Sequence, residues 1–238
     1  MSSDAKYKRV LLKFSGEALM GDAQFGISND ILSYLAEEVR ELRPMDIEIG
    51  IVIGAGNIFR GVSGASAGMD RAAADNMGML ATVMNSLALK DALDQNNVPT
   101  AVLSAIPMNT VCESFSRRLS MEHFAKGNTV IFAAGTGNPY FTTDTAASLR
   151  AAEIDADIVL KSTRVEGVYS SDPEKNDEAE LYTQISYKDV VEKKLGVMDL
   201  TAITLCEENK MPIRVFDGTQ NTNIYNVLTG NELGTLIN

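Results

Sequence analysis

Ile51-Val-Ile-Gly-Ala-Gly-Asn57 and Val130-Ile-Phe-Ala-Ala-Gly-Thr-Gly-Asn138 share one build, a short apolar run that enters a Gly-x-Gly-Asn turn. A run that is apolar on both alternating sets of side chains suits a strand covered on both faces, as in a parallel sheet packed between helices. Outward from these two segments, Arg9-Val-Leu-Leu-Lys-Phe14 reads as a first strand. Further strands are predicted over Ile47 to Ile53, Thr100 to Leu103, Thr129 to Ala133, Asp157 to Ser162 and Ile213 to Phe216. Helical spacings fall between them. Ile31, Leu32, Leu35, Val39 and Leu42 recur behind the capping residues Ser28 and Asn29, and Pro44 closes a helix over 29–43. Met77, Leu80, Ala81, Met84, Leu87 and Ala88 mark a long helix whose second side carries Met79 and Val83. Being apolar nearly all round, it is predicted to lie within the domain or at a subunit interface. Helices near 115–125, 144–152, 186–194 and 199–209 complete a β-then-α order, the pattern of a mainly parallel α/β sheet covered by helices.

The 238 residues, 45% hydrophobic and 22% charged, fit one sizeable domain or two tightly fused lobes. A formal charge of −11 disfavours nucleic acid and anionic lipid as partners, because both reward clustered Lys and Arg. Any phosphate bound here must be held locally. Cys112 and Cys206 are far apart and lack metal-site spacing, so both read as small buried apolar residues. The N-terminal residues lead into a strand without a signal-like apolar stretch, and no apolar run reaches membrane-spanning length, so the cytoplasm is the expected compartment. Ser170 to Glu180 is the most polar stretch and reads as a solvated loop.

Ligands of an open parallel sheet gather beyond the carboxyl ends of its strands, where both glycine turns fall. Glycine there lets backbone N–H groups approach phosphate oxygens, although a tight turn alone would also call for it. Lys13 and Lys161 each end an apolar strand, and each is followed by small or hydroxylic residues: Phe14, Ser15 and Gly16 in one case, Ser162 and Thr163 in the other. A buried ammonium is costly unless an anion neutralises it, so the two lysines imply a shared polyanion; the plain alternative is a pair of snorkelling strand-end lysines. Arg60 follows the first glycine turn and could fork onto phosphate. Asp144 follows the second turn, where a helix cap or first-turn acid is also a good reading. Thr142 and Thr143 add hydroxyls at the same helix start, a ready seat for phosphate.

Other patterns fail on context. Gly64-Ala-Ser-Ala-Gly68 matches G-x-S-x-G but lacks the preceding apolar strand of a nucleophile elbow. His123, the sole histidine, lies in a charged helical stretch and reads as a solvated surface residue. Phe59 and Tyr140 stand where a dinucleotide fingerprint needs its third glycine, and no G-x-x-x-x-G-K-[ST] occurs.

Several long motifs in order then carry a resemblance over nearly the whole chain. They are Lys13-Phe-Ser-Gly-Glu-Ala18, Gly54-Ala-Gly-Asn-Ile-Phe-Arg-Gly61, Asp75-Asn-Met-Gly-Met-Leu-Ala-Thr82, Thr136-Gly-Asn-Pro-Tyr-Phe-Thr-Thr-Asp144, Lys161-Ser-Thr-Arg-Val-Glu-Gly-Val-Tyr169, Asp172-Pro173 and Pro212-Ile-Arg-Val-Phe216. The sequence resembles the bacterial uridylate (UMP) kinases of the amino acid kinase family. That resemblance implies a three-layer αβα sandwich with a mainly parallel sheet, ATP with magnesium as donor and UMP as acceptor. It implies a single domain over 1–238, with an acceptor-binding part at roughly 1–155 and an ATP-binding part at roughly 156–238. Position by position, it implies that Lys13, Phe14, Ser15 and Gly16 line the donor phosphates, and that Gly56 and Arg60 lie where donor and acceptor phosphates meet. Asp75 matches the acid that receives the ribose hydroxyls, and Ala55 with Thr136, Gly137, Asn138, Pro139, Tyr140, Phe141, Thr142 and Thr143 matches the acceptor-holding loops. Thr163, Tyr169 and Asp172 match the ATP nucleoside site, and Asp144 the acid that orients catalytic cations. No protein-held metal site is implied; magnesium would be carried mainly by nucleotide phosphates. Such enzymes are typically hexamers, often activated by GTP and inhibited by UTP.

Phosphoryl transfer needs positioning and charge neutralisation more than covalent help. An acceptor that is itself a phosphate needs no general base, which suits a chain with one histidine. The task is to hold two polyanions together, and each charge pair at ~4 Å is worth about 4 kcal/mol at an effective dielectric near 20. Two rivals share these residues: a kinase of the same fold acting on a carboxylate or carbamate, and a nucleotide-sensing regulator without catalysis. Asp75 with the 136–143 loop favours a nucleotide over the first, and Lys13, Lys161 and Asp144 favour catalysis over the second.

Overall fold

The computed structural model describes residues 5–60, 68–173, 175, 176 and 178–238. Its frame is one nine-stranded sheet. The first strands are β1 (Arg9–Phe14), β2 (Glu48–Ile53), β3 (Thr100–Ser104), β4 (Glu113–Ser114) and β5 (Thr129–Ala133). Then come β6 (Ile158–Thr163), the short β7 (Val168–Tyr169), β8 (Leu181–Tyr182) and β9 (Gln184–Ile185), and finally β10 (Ile213–Asp217) and β11 (Thr235–Ile237). The order across the sheet is β4-β3-β5-β2-β1-β6-β10-β11-β9, while β7 and β8 pair separately. The helices are α1 (Asn29–Leu42), α2 (Arg71–Gln95), α3 (Arg117–Ala125), α4 (Thr143–Glu153), α5 (Tyr187–Glu192), α6 (Leu200–Glu208) and α7 (Asn223–Leu228).

Alternation along the strands sorts side chains into two apolar layers. Val10, Leu12 and Phe14 of β1 join Leu32, Leu35 and Val39 of α1, Met79, Val83 and Leu89 of α2, and Ile224 and Val227 of α7. Leu11 of the same strand joins Phe124 of α3, Ala146, Ala147 and Ala151 of α4, Val190 of α5, and Ile203 and Cys206 of α6. Helices thus cover both faces, and the molecule is the three-layer α/β sandwich that the strand pattern and the resemblance imply. The four apolar residues Val10, Leu11, Leu12 and Phe14 are at most 1% exposed, as expected of a strand buried on both sides.

Every strand pairing in the large sheet is parallel except β10 with β11. The strict β-then-α order therefore breaks where β4 follows β3 without a helix, where the two-residue strands β7, β8 and β9 follow β6, and where β11 turns back along β10; the two-residue strands have no periodicity long enough to read. Strands before α4 lie to one side of β1, and strands after it lie to the other. The order reverses between β1 and β6, which makes the gap beyond their carboxyl ends the switch point where α/β folds bind ligands.

The long helix α2 differs from its sequence reading. Met79, Ala81, Val83, Leu89 and Leu93 are buried, whereas Met77, Leu80 and Met84 are 43–55% exposed. The side carrying Met79 and Val83 faces the sheet, and its polar members find partners there: Asn85 bonds Asn57 and the Gly54 carbonyl, and Thr82 Oγ1 accepts from the Ala134 N–H. The predicted polar loop over 170–180 leads from β7 to β8, and its ends are joined by the Ser170 N–H donating to the Glu180 carbonyl. No helix among the described residues is long and apolar enough to cross a membrane.

Candidate active site

Lys13 and Lys161 are register partners on β1 and β6. Strand period and register together send both side chains to the α4 face, with Leu11 and Val159 beneath them. Asp144, in the first turn of α4, lies between the two ammonium groups: Lys13 Nζ is 2.6 Å from Oδ1 and Lys161 Nζ is 2.8 Å from Oδ2. Lys161 also donates to the Val197 carbonyl. The cap of α4 is Thr142, whose Oγ1 accepts from the N–H groups of Asp144 and Thr145, so Asp144 is a first-turn acid rather than the cap. Burial alone would raise the Asp144 pKa, but the charges of Lys13 and Lys161 outweigh it and hold the carboxyl below its ordinary value. For Lys161, burial together with the nearby Lys13 charge outweighs the help of Asp144 and pulls its pKa below that of an ordinary lysine. Two cations share one anion here, with the Asp199 charge close enough to act on Lys161 as well.

Two cavities adjoin this cluster, one through Thr142 and Thr143 beside Asp144 and the other through Val197, which accepts from Lys161. The one toward α2 has a volume of about 580 Å³; its lining includes Ala55, Gly56, Arg60, Asp75, Thr136 and Asn138, and it reaches Phe141, Thr142 and Thr143. The other, about 560 Å³, is lined by Thr163 and Val165, by the segment from Gly167 through Tyr169 to Asp172 and Pro173, and by residues 193–197. Of the sequence-derived acceptor residues, Ala55, Asp75, Thr136, Asn138, Phe141, Thr142 and Thr143 line the first cavity and Gly137, Pro139 and Tyr140 do not; Thr163, Tyr169 and Asp172 line the second, and Lys13, Phe14, Ser15 and Gly16 line neither. Lys13, Phe14, Ser15 and Gly16 run from the end of β1 into the short helical turn Gly16–Met20. Asp75 accepts from Arg71 Nε and from the Tyr140 backbone N–H, both at 2.8 Å, and so ties α2 to the 136–143 loop. Tyr140 holds φ +72° and Gly137 φ +79°, a left-handed conformation at which a Cβ on Gly137 would also stand 3.1 Å from Ala105 Cβ. The first glycine turn obeys a different constraint. A Cβ on Gly16 would lie 2.5 Å from the Gly56 nitrogen, so close backbone packing of two loops, not positive φ, requires glycine.

Residues 8–217 match the amino acid kinase family. The chain belongs to the amino acid kinase family. Among its relatives, the uridylate kinase of Ectopseudomonas mendocina is 54% identical over 232 residues, which cover 98% of this chain and 94% of that protein. The crystal structure of UMP kinase from Bacillus anthracis superposes with a TM-score of 0.94 at 38% identity, covering 98% of this chain and 96% of that one. The UMP kinase structure from Ureaplasma parvum superposes with a TM-score of 0.91 at 39% identity, covering 98% and 99%.

Several features of this amino acid kinase site escaped the sequence. Asn85 of α2, fully buried, exchanges reciprocal hydrogen bonds with Asn57 and donates to the Gly54 carbonyl at 2.7 Å, pinning the first glycine turn. Asp199, at the cap of α6, accepts from Thr142 and Thr145 hydroxyls across the end of the sheet. Both belong to helices whose apolar spacing drew attention away from their polar members. Arg60 is exposed and paired with Glu17. His123, read as solvated, is mostly covered: its ring bonds Glu113 and Asn128 at 3.0 Å, so it braces α3 against β4. Cys206 is buried, and burial pushes its thiol up to about 11, whereas Cys112 is only half-buried. Most of the Gly64-Ala-Ser-Ala-Gly68 pattern, and the Gly61 that ends the Gly54–Gly61 motif, fall in 61–67, outside the described residues.

Proposed function

We propose that this protein is a nucleoside monophosphate kinase that transfers the γ-phosphoryl group of ATP to UMP, releasing UDP and ADP. The observation that carries this reading is the Lys13–Asp144–Lys161 cluster adjoining two cavities of nucleotide size. The relatives named uridylate kinase support the choice of acceptor.

In this reading UMP occupies the cavity toward α2. Asp75 receives its ribose hydroxyls, and Ala55 with residues 136–143 encloses the base and phosphate. ATP occupies the other cavity through Thr163, Tyr169 and Asp172, with its phosphates along Lys13, Phe14, Ser15 and Gly16. Gly56 and Arg60 stand where the two phosphate chains meet. The acceptor-binding and ATP-binding parts correspond to residues before and after roughly 155, respectively. Asp144 is held ionised by two lysines, which makes it an orienter of cations and a poor proton acceptor. That suits the chemistry, because the attacking phosphate oxygen carries no proton that must be removed. Lys13 and Lys161 oppose the charge that builds on the transferring group in a site already arranged for it.

Magnesium, arriving with the donor, would supply positive charge against its phosphates. Its ligands would come mainly from the nucleotide, since magnesium is commonly held by substrate phosphates, water and at most one or two carboxylates. The two lysines fit such a partner, since they supply charge without competing for its coordination sphere. The exposed Met77, Leu80 and Met84 stripe supports an assembly of like chains through α2; a hexamer, with GTP and UTP as effectors, is the form of that assembly that the sequence resemblance implies. Cytoplasmic pyrimidine nucleotide synthesis is the setting this reaction implies. A coupled assay of ADP release with ATP, magnesium and UMP tests the proposal: turnover with UMP is expected, and turnover only with a carboxylate or carbamate, or none, would overturn it.

A further inference from the structure

Glu17 places a carboxylate in the wall of the cavity toward α2. It sits in the first turn of the helical segment Gly16–Met20, directly after the donor-loop residues. Its Oε1 pairs with Arg60 Nη2, and its Oε2 is 3.9 Å from Arg164 Nη2. Both arginines are more than half exposed; Arg60 lines the cavity toward α2, and Arg164 stands in the chain between Thr163 and Val165, which line the other. The carboxylate also hangs over the first glycine turn. A Cβ built on Gly56 would meet Glu17 Cγ at 3.2 Å, Glu17 Oε1 at 3.3 Å and Arg60 Nε at 3.5 Å. Carboxylate, guanidinium and turn backbone therefore converge on one spot, the spot that a phosphate must reach to use Arg60 and the turn together.

We infer that Glu17 is a specificity-determining residue that holds the phosphate seat with its own anion, so that the phosphate of UMP must displace it from Arg60 to bind. The inference rests on the kinase reading above and deepens it. A carboxylate carries one charge and engages the guanidinium without cost of ordering a second molecule. A nucleotide phosphate carries nearly two charges, presents more acceptor oxygens in bidentate geometry and brings the rest of the nucleotide with it. Weaker or smaller anions lack these advantages and are turned away, which is discrimination by a built-in competitor. On release of the phosphate the carboxylate returns to Arg60, so the charge there is never left without a partner.

The test is a double-variant cycle read by calorimetric titration of UMP into the full chain. Glu17→Gln is expected to tighten UMP binding about two- to fivefold, the scale of a part-exposed ion pair. Glu17→Asp, whose shorter side chain draws the carboxylate back from Arg60, is expected to give a smaller gain in the same direction. In an Arg60→Ala background the Glu17→Gln change is expected to leave UMP affinity unaltered, a result that a purely structural role for Glu17 would not produce. Unchanged or weaker binding in both Glu17 variants would overturn the inference, as would an equal gain with and without Arg60. Should the unaltered protein bind no UMP, the kinase reading itself fails; should it bind while the variants show no gain, only the role of Glu17 does.

Discussion

Lys13 and Lys161 face each other as register partners on adjacent parallel strands and grip the two oxygens of a single carboxylate, Asp144, at 2.6 and 2.8 Å. Their chain separation is large, and neither strand contains the partner that neutralises it. The relationship holds the two ammonium groups close together at the switch point, where a polyanion can use both.

Lys13→Ala is expected to lower turnover by ~10²-fold, the usual loss when one preorganised donor to a developing charge is removed. Steady-state kinetics with ATP and UMP check this, and undiminished turnover would remove Lys13 from the chemistry.

Asp144→Asn leaves two buried ammonium groups 8–12% exposed without their shared anion. A loss of ~3 kcal/mol in stability is expected, as when one member of a buried ion network is neutralised. Thermal or denaturant unfolding in the absence of nucleotide measures it, and a restored midpoint with ATP would show that the donor phosphates replace the missing charge.

Asp75→Asn is expected to raise the KM for UMP at least ~10-fold while changing that for ATP little, because a neutral amide accepts from hydroxyls less strongly than a carboxylate does. The same change weakens the tie to the Tyr140 N–H, now 2.8 Å from Asp75 Oδ2. A rise confined to ATP would mean that the two cavities are assigned in reverse.

The lowered pKa of Lys161 predicts an alkaline limb in kcat/KM below the ordinary lysine range, since its charge is lost as pH rises through the folded value. Lys161→Arg, which keeps its charge, should move that limb upward. The stability sign is opposite to the activity sign. Between the folded value and 10.5 the unfolded chain binds the extra proton, so this group makes stability rise with pH in that window. Asp144, whose pKa is lowered from 3.8, contributes stability that is full above that ordinary value and is lost as pH falls through the folded one.

Met84→Glu is expected to dissociate an assembly built on the exposed stripe of α2, where Met84 is 55% exposed in the single chain. Light scattering across a concentration series checks it; an unchanged mass would place any interface elsewhere.

The β1, β2, β5, β6 and β10 strands were legible because each is a short apolar run between turn or helix signals, and the bounds of β1 and β5 agree to the residue. The strands β7, β8 and β9 were not, because two residues carry no period, and neither was β11, which gains its partners only when it folds back on β10. Helix α2 shows a subtler limit. Its residues are small or apolar on several sides, so spacing could not choose a buried face; the buried side is the one whose Asn85 bonds Asn57 and the Gly54 carbonyl and whose Thr82 accepts from the Ala134 N–H.

By itself the amino-acid sequence determined that two lysines would end buried strands, that two glycine turns would follow others, and that such ammonium groups need an anion, because strand burial and desolvation are local properties of the chain. Only the tertiary structure decided that β1 and β6 are neighbours in a register that sets Lys13 beside Lys161, that α4 delivers Asp144 between them, and that Glu17 reaches Arg60. Strand order and register are set by how two helical layers pack on one sheet, and no single segment carries that information.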